Sequence, residues 1–425
     1  MMTSDGVRDN QAYVWVWLPG ASEPVVAGLI KQEGERYVFN YGRSYLEHKD
    51  AVALYLPELP LKQGQIDPIE PLKFASALRD GAPDAWGRRV IINRLMGIRG
   101  EDADMVDLGE ISFLLESGSD RIGALDFQAS ATEYVPRQRS NASLDELQRA
   151  SDIVEKGVPL TDELAEALQH GTAIGGARPK ALIDDGNRKY IAKFSSSGDT
   201  YSVVKGEYIA MRLAQEVGLN VAPVKLEQSM GRDVLLIERF DREHLETGWS
   251  RKMLVSALTL FGLDEIMAAH ASYTELAEII RRRFTDPKDT LREMFSRMIF
   301  NILVGNTDDH ARNHAAFWDG DLLKLTPAYD ICPQSRNSRE ASQAMLMGRE
   351  RRSQLLHGLA VAKDFHLSEE DARAIVAKQV KIIDEAWGPL CKEANLSKTD
   401  QKVFWRRQFL NELAFEGVEG QFYEQ

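Results

Sequence analysis

"NTDDHARN", residues 306–313, packs two carboxylates, a histidine and two asparagines into eight positions. Burying such a cluster is costly unless each group finds a partner or a metal ion. It follows "TLREMFSRMIFNILVGN", residues 290–306, whose apolar positions fall at 291, 294, 295, 298, 299, 302 and 303. That spacing predicts a core-facing helix stopping at Gly305, so the polar cluster emerges as a loop on a rigid support.

Asp308 and Asn313 stand five positions apart in that loop. Beyond it, "AAFW", "DG" and "LLKLT" predict a strand–turn–strand around Asp319-Gly320, and Asp330 of "PAYDICP" comes just after. Helix, Asp, Asn, hairpin, Asp is the order of a protein-kinase catalytic core. There the first Asp orients and deprotonates the acceptor hydroxyl, while the Asn and the last Asp hold Mg²⁺ against the nucleotide phosphates. Hard oxygen donors suit that ion, which accounts for Asn and Asp where sulfur would not serve.

Upstream lie the parts that a nucleotide site needs. "GTAIGGARPK" is a Gly-rich loop whose small residues let backbone N–H groups approach phosphate. Lys193 in "YIAKF" sits on the next expected strand, and Glu207 follows fourteen positions later on an expected helix. That order permits a lysine–glutamate pair aiming the ammonium at the phosphates. "LLIERFD", residues 235–241, closes the last strand of this lobe, where a nucleotide base would meet the hinge.

The rest of the chain supports two lobes behind an N-terminal subdomain. "AYVWVWLP" and "RYVFNYG" read as strands, and the proline-rich "ALYLPELPLKQGQIDP" as irregular. "DGAPDAWGRRVIINRLMGI" turns helical, with Asp84 as N-cap and Gly97 near its end. "LGEISFLLESGSDRIGALDFQ" reads as a helix leading into a strand, and residues 130–143 as a linker. Ser143 and Glu146 are spaced as a capping box, and "TDELAEALQHG" reads as a second helix. "KALIDDGNRKYIAKF" is an expected hairpin turning at Asp184–Asn187, followed by a helix with Val204, Tyr208 and Met211 on one face. Two strands joined at Met230-Gly231 complete this lobe, and the chain beyond residue 250 is largely helical. The expected fold class is α+β, divided as 1–130, 131–241 and 242–425: an N-terminal β-rich subdomain, a kinase-like small lobe and a mostly helical large lobe.

Composition narrows the classes further. Charged residues make up 28% and hydrophobic ones 44%, ordinary values for a globular protein. A net charge of −13 opposes a primary role in gripping nucleic acid. No apolar run is long enough for a membrane span, and "MMTSDGVRDN" is not a signal peptide. Cys332 and Cys391 fit no zinc spacing and read as reduced thiols, giving a cytoplasmic expectation.

Taken in order, "IGGARPK", "LLIERFD", "NTDDHARN" and "TPAYD" resemble the HipA family of bacterial serine/threonine kinase toxins, and "DGAPDAWGRR" and "ISFLLESGSDRIGAL" resemble that family's N-terminal region. The resemblance implies Asp308 as catalytic base and Lys193 as the phosphate lysine. It implies Asn313 and Asp330 as Mg²⁺ ligands, with His310, Arg312 and Tyr329 lining the site. Gly175, Gly176, Ala177, Arg178 and Lys180 would form the phosphate loop, Glu207 would pair with Lys193, and Glu238 and Phe240 would hold adenine. ATP and Mg²⁺ are the implied cofactors. The implied acceptor is an aminoacyl-tRNA synthetase, the glutamyl enzyme first, with arrested translation and persistence as the outcome. The implied partner is a HipB-like helix-turn-helix antitoxin, through which DNA would be met only indirectly. One position departs from the pattern: where the family's loop often carries an autophosphorylated serine, this chain has Ala173, with Thr172 beside it as a possible substitute.

Plainer readings stand beside these. Asp308 and Asn313 could serve only as a helix-end cap and turn. Asp308, Asp309, His310 and His314 could make a metal-dependent hydrolase, although loop placement is unlike the helical spacing of metalloproteases. The cleft could also be a catalytically weak module that holds an antitoxin in a corepressor assembly. "RRRF", residues 281–284, reads as a basic helix end complementing the dipole, and "GRERRS", residues 348–353, is the better candidate for touching DNA.

Overall fold

The computed structural model describes residues 9–97, 106, 108–137, 142–156, 158, 161, 164, 167–168, 170–174, 178–196, 198–335 and 341–422. The fold is α+β, as expected. Strands β1 (Gln11–Val16), β2 (Val25–Glu33), β3 (Arg36–Tyr41), β4 (Gln65–Ile66) and β5 (Leu125–Gln128) form an antiparallel sheet in the order β4-β3-β2-β1-β5. Asp84 caps the helix Ala85–Met96 by accepting from the Gly87 N–H at 3.4 Å, and Gly97 ends it at φ 66°.

The small-lobe sheet comprises β6 (Lys180–Asp184), β7 (Lys189–Phe194), β8 (Val224–Ser229) and β9 (Arg232–Glu238), ordered β6-β7-β9-β8. Met230 and Gly231 both take positive φ, 50° and 74°, in the two-residue turn between β8 and β9, matching the right-handed strand twist. The β6–β7 turn sits one residue later than expected: Asp184 pairs with Lys189, and the Asp185 N–H donates to the Arg188 carbonyl. Asp184 has the extended backbone of the strand, while Gly186 takes the positive φ of 88° that the reversal needs. The capping box at Ser143 and Glu146 is present as read. Of the helix expected over 161–171, only scattered positions are described.

The helix Val203–Glu216 packs on β8 and β9. Its neighbour across the molecule is the long helix Glu369–Glu393 of the large lobe. After the ribbon of β10 (Arg242–Leu245) and β11 (Gly248–Arg251), β12 (Leu254–Ser256), β13 (Ala315–Trp318) and β14 (Leu323–Leu325) form a three-stranded sheet. The central helix of the large lobe, Pro287–Val304, buries all seven positions of its apolar stripe. Gly305 ends it at φ 72°, and a Cβ there would stand 2.7 Å from the Gln408 carbonyl oxygen, so glycine is required twice over.

Two features tie the N-terminal residues to the rest. Trp86 and Val90 belong to the hydrophobic cluster of the small-lobe sheet rather than to a core of their own. A buried charge network also crosses between them. Asp120 takes Arg239 at 3.0 Å and Arg242 at 2.8 Å, while Asp241 takes both arginines at 2.9 Å and the Gly123 N–H at 2.8 Å. Among the described residues no helix is long and apolar enough to cross a membrane.

Candidate active site

Strand β7 alternates buried and half-buried positions, and this period carries Lys193 to the face opposite Phe194. Its ammonium lies 2.6 Å from the Glu207 carboxylate, which the helix Val203–Glu216 supplies, and also contacts Asp330 of the large lobe. Both lobes thus meet at one cation. Burial works against the charge on Lys193, but the Asp330 and Glu207 carboxylates outweigh it and push its pKa up. Burial likewise opposes ionisation of Asp330, yet the adjoining Lys193 ammonium holds that carboxyl down at about 2. Glu207 is left with a raised pKa, because burial prevails over Lys193 there. Asp330 has φ 58°, a left-handed conformation that Asp tolerates better than most residues and that is common at functional turns.

The segment 306–314 forms a tight turn and the short 3₁₀ helix Ala311–Asn313. The Asp308 carbonyl accepts from the His310 N–H at 2.9 Å and from the Asn313 side-chain Nδ2 at 3.2 Å, so the first Asp and the Asn are fixed to each other. Asp308 is exposed as a residue, but partial burial of its carboxyl, with the nearby Asp330, raises its pKa against the pull of His310. Tyr329 donates its hydroxyl to the Arg312 carbonyl at 2.7 Å, joining the turn to the residue before Asp330. Burial pushes that phenol's pKa well up. His310 Nδ1 is buried without a hydrogen-bond partner among the described residues. Asn313 spends its amide nitrogen on Asp308, which leaves its oxygen as the end available to a cation. With the Asp330 carboxylate already facing a positive group, the donor set is all oxygen and fits a hard divalent ion.

The other expected residues divide. Lys180 is 2% exposed, and burial brings its pKa down to about 8; Asp84, 3.9 Å away, is pushed up to about 6 by its own burial. Arg178 pairs with Asp199 at 2.6 Å, and Glu238 with Arg188 at 2.7 Å. Phe240 packs against Tyr329, ring centroids 5.6 Å apart. Gly175, Gly176 and Ala177 lie outside the described residues. Thr172 is buried, with its hydroxyl accepting from the Gly118 N–H at 3.0 Å, so a phosphate could reach it only after the segment leaves this position.

His314 is not gathered toward Asp308. It turns into the core, where Nε2 lies 3.0 Å from Asp309 and 3.5 Å from the Tyr273 hydroxyl. Among the described residues no group of three His, Cys, Asp or Glu side chains is gathered where it could hold a metal ion. Three N-terminal residues near this site escaped sequence reasoning as site residues: Arg79, Asp80 and Asp84. Asp84 was legible only as a helix cap, and the other two carried no periodic or motif signal of their own.

Comparisons agree with this architecture. The HipA N-terminal domain model matches residues 16–128, and the HipA-like C-terminal domain model matches residues 172–387, just over half of the chain. The chain is 24% identical over 183 residues to the serine/threonine-protein kinase toxin HipA of Shewanella oneidensis, spanning 37% of this chain and 42% of that one. Relatives from Sinorhizobium fredii (29% over 136 residues) and Haemophilus influenzae (28% over 184), both named as kinases, are matched over 31% and 53% of their lengths. The matched stretches therefore cover from just under a third to just over a half of the curated relatives. A chain in the solved complex of Shewanella oneidensis HipA, HipB and operator DNA superposes over 95% of this chain and 99% of its own, with TM-score 0.67 and 17% identity. On the family models and the shared fold, this chain belongs to the HipA family.

Proposed function

We propose that this protein is an ATP-dependent protein kinase that transfers the γ-phosphoryl group to a serine or threonine hydroxyl of another protein. The observation that carries the reading is the meeting of Lys193, Glu207 and Asp330 across the two lobes. In this reading Lys193 binds the nucleotide phosphates, and Glu207 holds the ammonium in place. Asn313 and Asp330 would hold Mg²⁺, which supplies neutralisation of charge developing on the phosphate oxygens. Asp308 orients the acceptor hydroxyl and takes its proton at the carboxylate, a role that its exposure and raised pKa support. Phe240, which packs against Tyr329, would cover the base at the hinge in this reading. Most of the rate comes from positioning and charge stabilisation.

The family membership supports a toxin role, with a small HipB-type helix-turn-helix antitoxin as partner and operator DNA met through it. The acceptor we favour is an aminoacyl-tRNA synthetase, the glutamyl enzyme first, whose phosphorylation would arrest translation. The test is transfer of label from γ-labelled ATP into purified synthetases, comparing the natural chain with Asp308→Ala. Labelling that vanishes in the variant supports the assignment, and labelling that survives it removes Asp308 from the chemistry.

A further inference from the structure

The segment Ser76–Asp84 belongs to the N-terminal residues, yet two of its side chains reach the large lobe beside the C-terminal half of the 306–314 turn. Arg79 is mostly buried there. Its guanidinium lies 3.2 Å from Glu265 and donates to the Leu263 carbonyl at 2.8 Å. Glu265 in turn binds the Arg312 guanidinium, and the Arg312 carbonyl accepts the Tyr329 hydroxyl. A chain of polar contacts therefore runs from the N-terminal subdomain through the catalytic turn to the residue beside Asp330.

Asp80 accepts from the Ser256 N–H, the Ser256 hydroxyl and the Thr259 hydroxyl, each at 2.8 Å. Ser256 pairs in register with Ala315, and the Ala257 N–H donates to the His314 carbonyl at 2.7 Å. Asp80 thus fixes the strand edge against which the turn ends. Two neighbouring residues of opposite charge hold the C-terminal half of the 306–314 segment, one through Glu265 to Arg312 and the other through the strand edge beside His314 and Ala315.

We propose that Arg79 and Asp80 are positioning residues for the catalytic turn, so that the N-terminal subdomain is an integral part of the phosphotransfer site and not only a docking platform. The proposal deepens the kinase reading and rests on it for the catalytic consequence. Arg79 touches none of Lys193, Glu207 or Asp330, so its loss acts on the placement of Asp308 and Asn313 through Glu265 and Arg312. Nucleotide binding in the small lobe is left alone.

The experiment uses the full chain and the variants Arg79→Gln, Arg79→Lys and Glu265→Gln. Hydrogen exchange is read on the peptide covering 306–314, with the β6–β7 hairpin as internal reference. In parallel, turnover and the KM for Mg·ATP are measured by phosphate release from ATP. Arg79→Gln and Glu265→Gln are expected to speed exchange in 306–314 while the hairpin is unchanged. Turnover should fall roughly tenfold to a hundredfold, as expected for a misplaced reacting group, with KM for Mg·ATP changing far less than turnover because Lys193, Glu207 and Asp330 are left in place. Arg79→Lys, which keeps the charge toward Glu265, should recover part of both effects. Unchanged exchange in 306–314, or a loss carried wholly by KM, overturns the proposal. If the natural chain neither releases phosphate nor labels any purified synthetase, the kinase reading fails instead, and the exchange comparison still decides the coupling.

Discussion

Replacing Asp120 with asparagine should destabilise the protein more than any comparable surface change. Asp120 and Asp241 are buried carboxylates that both face Arg239 and Arg242, Lys189 lies 3.6 Å from Asp120 and 2.9 Å from Asp184, and Asp120 is only 4% exposed. Asp120→Asn keeps the shape but leaves two buried guanidinium groups sharing one carboxylate. Removing one partner of a buried ion pair costs about 3–5 kcal/mol, because the orphaned charge keeps its desolvation penalty. Against a total stability of about 5–15 kcal/mol this is a large fraction. With about 2–4 °C of Tm per kcal/mol for a unit of this size, the melting temperature should fall on the order of 10 °C at pH 7. The reference is Glu33→Gln, which breaks only an exposed pair with Lys31 and should leave Tm unchanged. The effect has a pH signature. Burial opposes the Asp120 charge, but Arg239 and its neighbours hold its pKa well below the ordinary value. Its stabilisation is therefore complete above the unfolded value of about 3.9 and is lost as pH falls through the folded one, so the two melting curves should converge in acid. A Tm drop under about 2 °C at pH 7 would refute the account, because it would place the network at the exposed-pair end of the range.

Other consequences can be checked separately. Lys193→Met should lower phosphate transfer by about 10²–10³-fold, the scale of losing one preorganised charge donor, read as kcat/KM for ATP. The acid limb of the kcat profile should fall at a pH above the ordinary aspartate range, because burial raises the Asp308 pKa and the base must be ionised to act. Gly87→Ala should destabilise by about 1–3 kcal/mol in a urea melt, since a Cβ would stand 2.0 Å from the Thr172 carbonyl oxygen and cannot be accommodated without backbone shift. Burial pushes the Cys332 thiol far up and Cys391 to about 11, so an aromatic disulfide reagent at pH 8 should label neither in the folded protein and both in denaturant.

The fold class and the order of the site were legible in the sequence because both rest on local signals. The 3.6-residue stripe of 291–303 ends at a glycine that the backbone needs, and the structure buries every position of that stripe. The Lys193-to-Glu207 spacing is a strand followed by a helix, so their pairing follows from the topology of one small lobe. The β6–β7 turn was misplaced by one residue because Asp184 and Asp185 are alike in turn propensity. Only the register with Lys189 distinguishes them. His314 shows the opposite limit: its spacing from His310 suggested shared chemistry, and strand β13 instead turns it into the core toward Asp309.

What the linear chain determined, then, was the set of chemical groups and the elements that carry them. Periodicity, caps and turn residues act over a few positions and can be read there. Contacts between residues such as Arg79 and Glu265, or Asp120 and Arg239, depend on how stretches far apart in the chain pack together. Nothing in a neighbouring residue encodes them, because their energy arises only when packing removes water from both partners at once. Tertiary structure alone decided that Arg79 reaches Glu265 and the Leu263 carbonyl and that Thr172 lies buried against the Gly118 N–H.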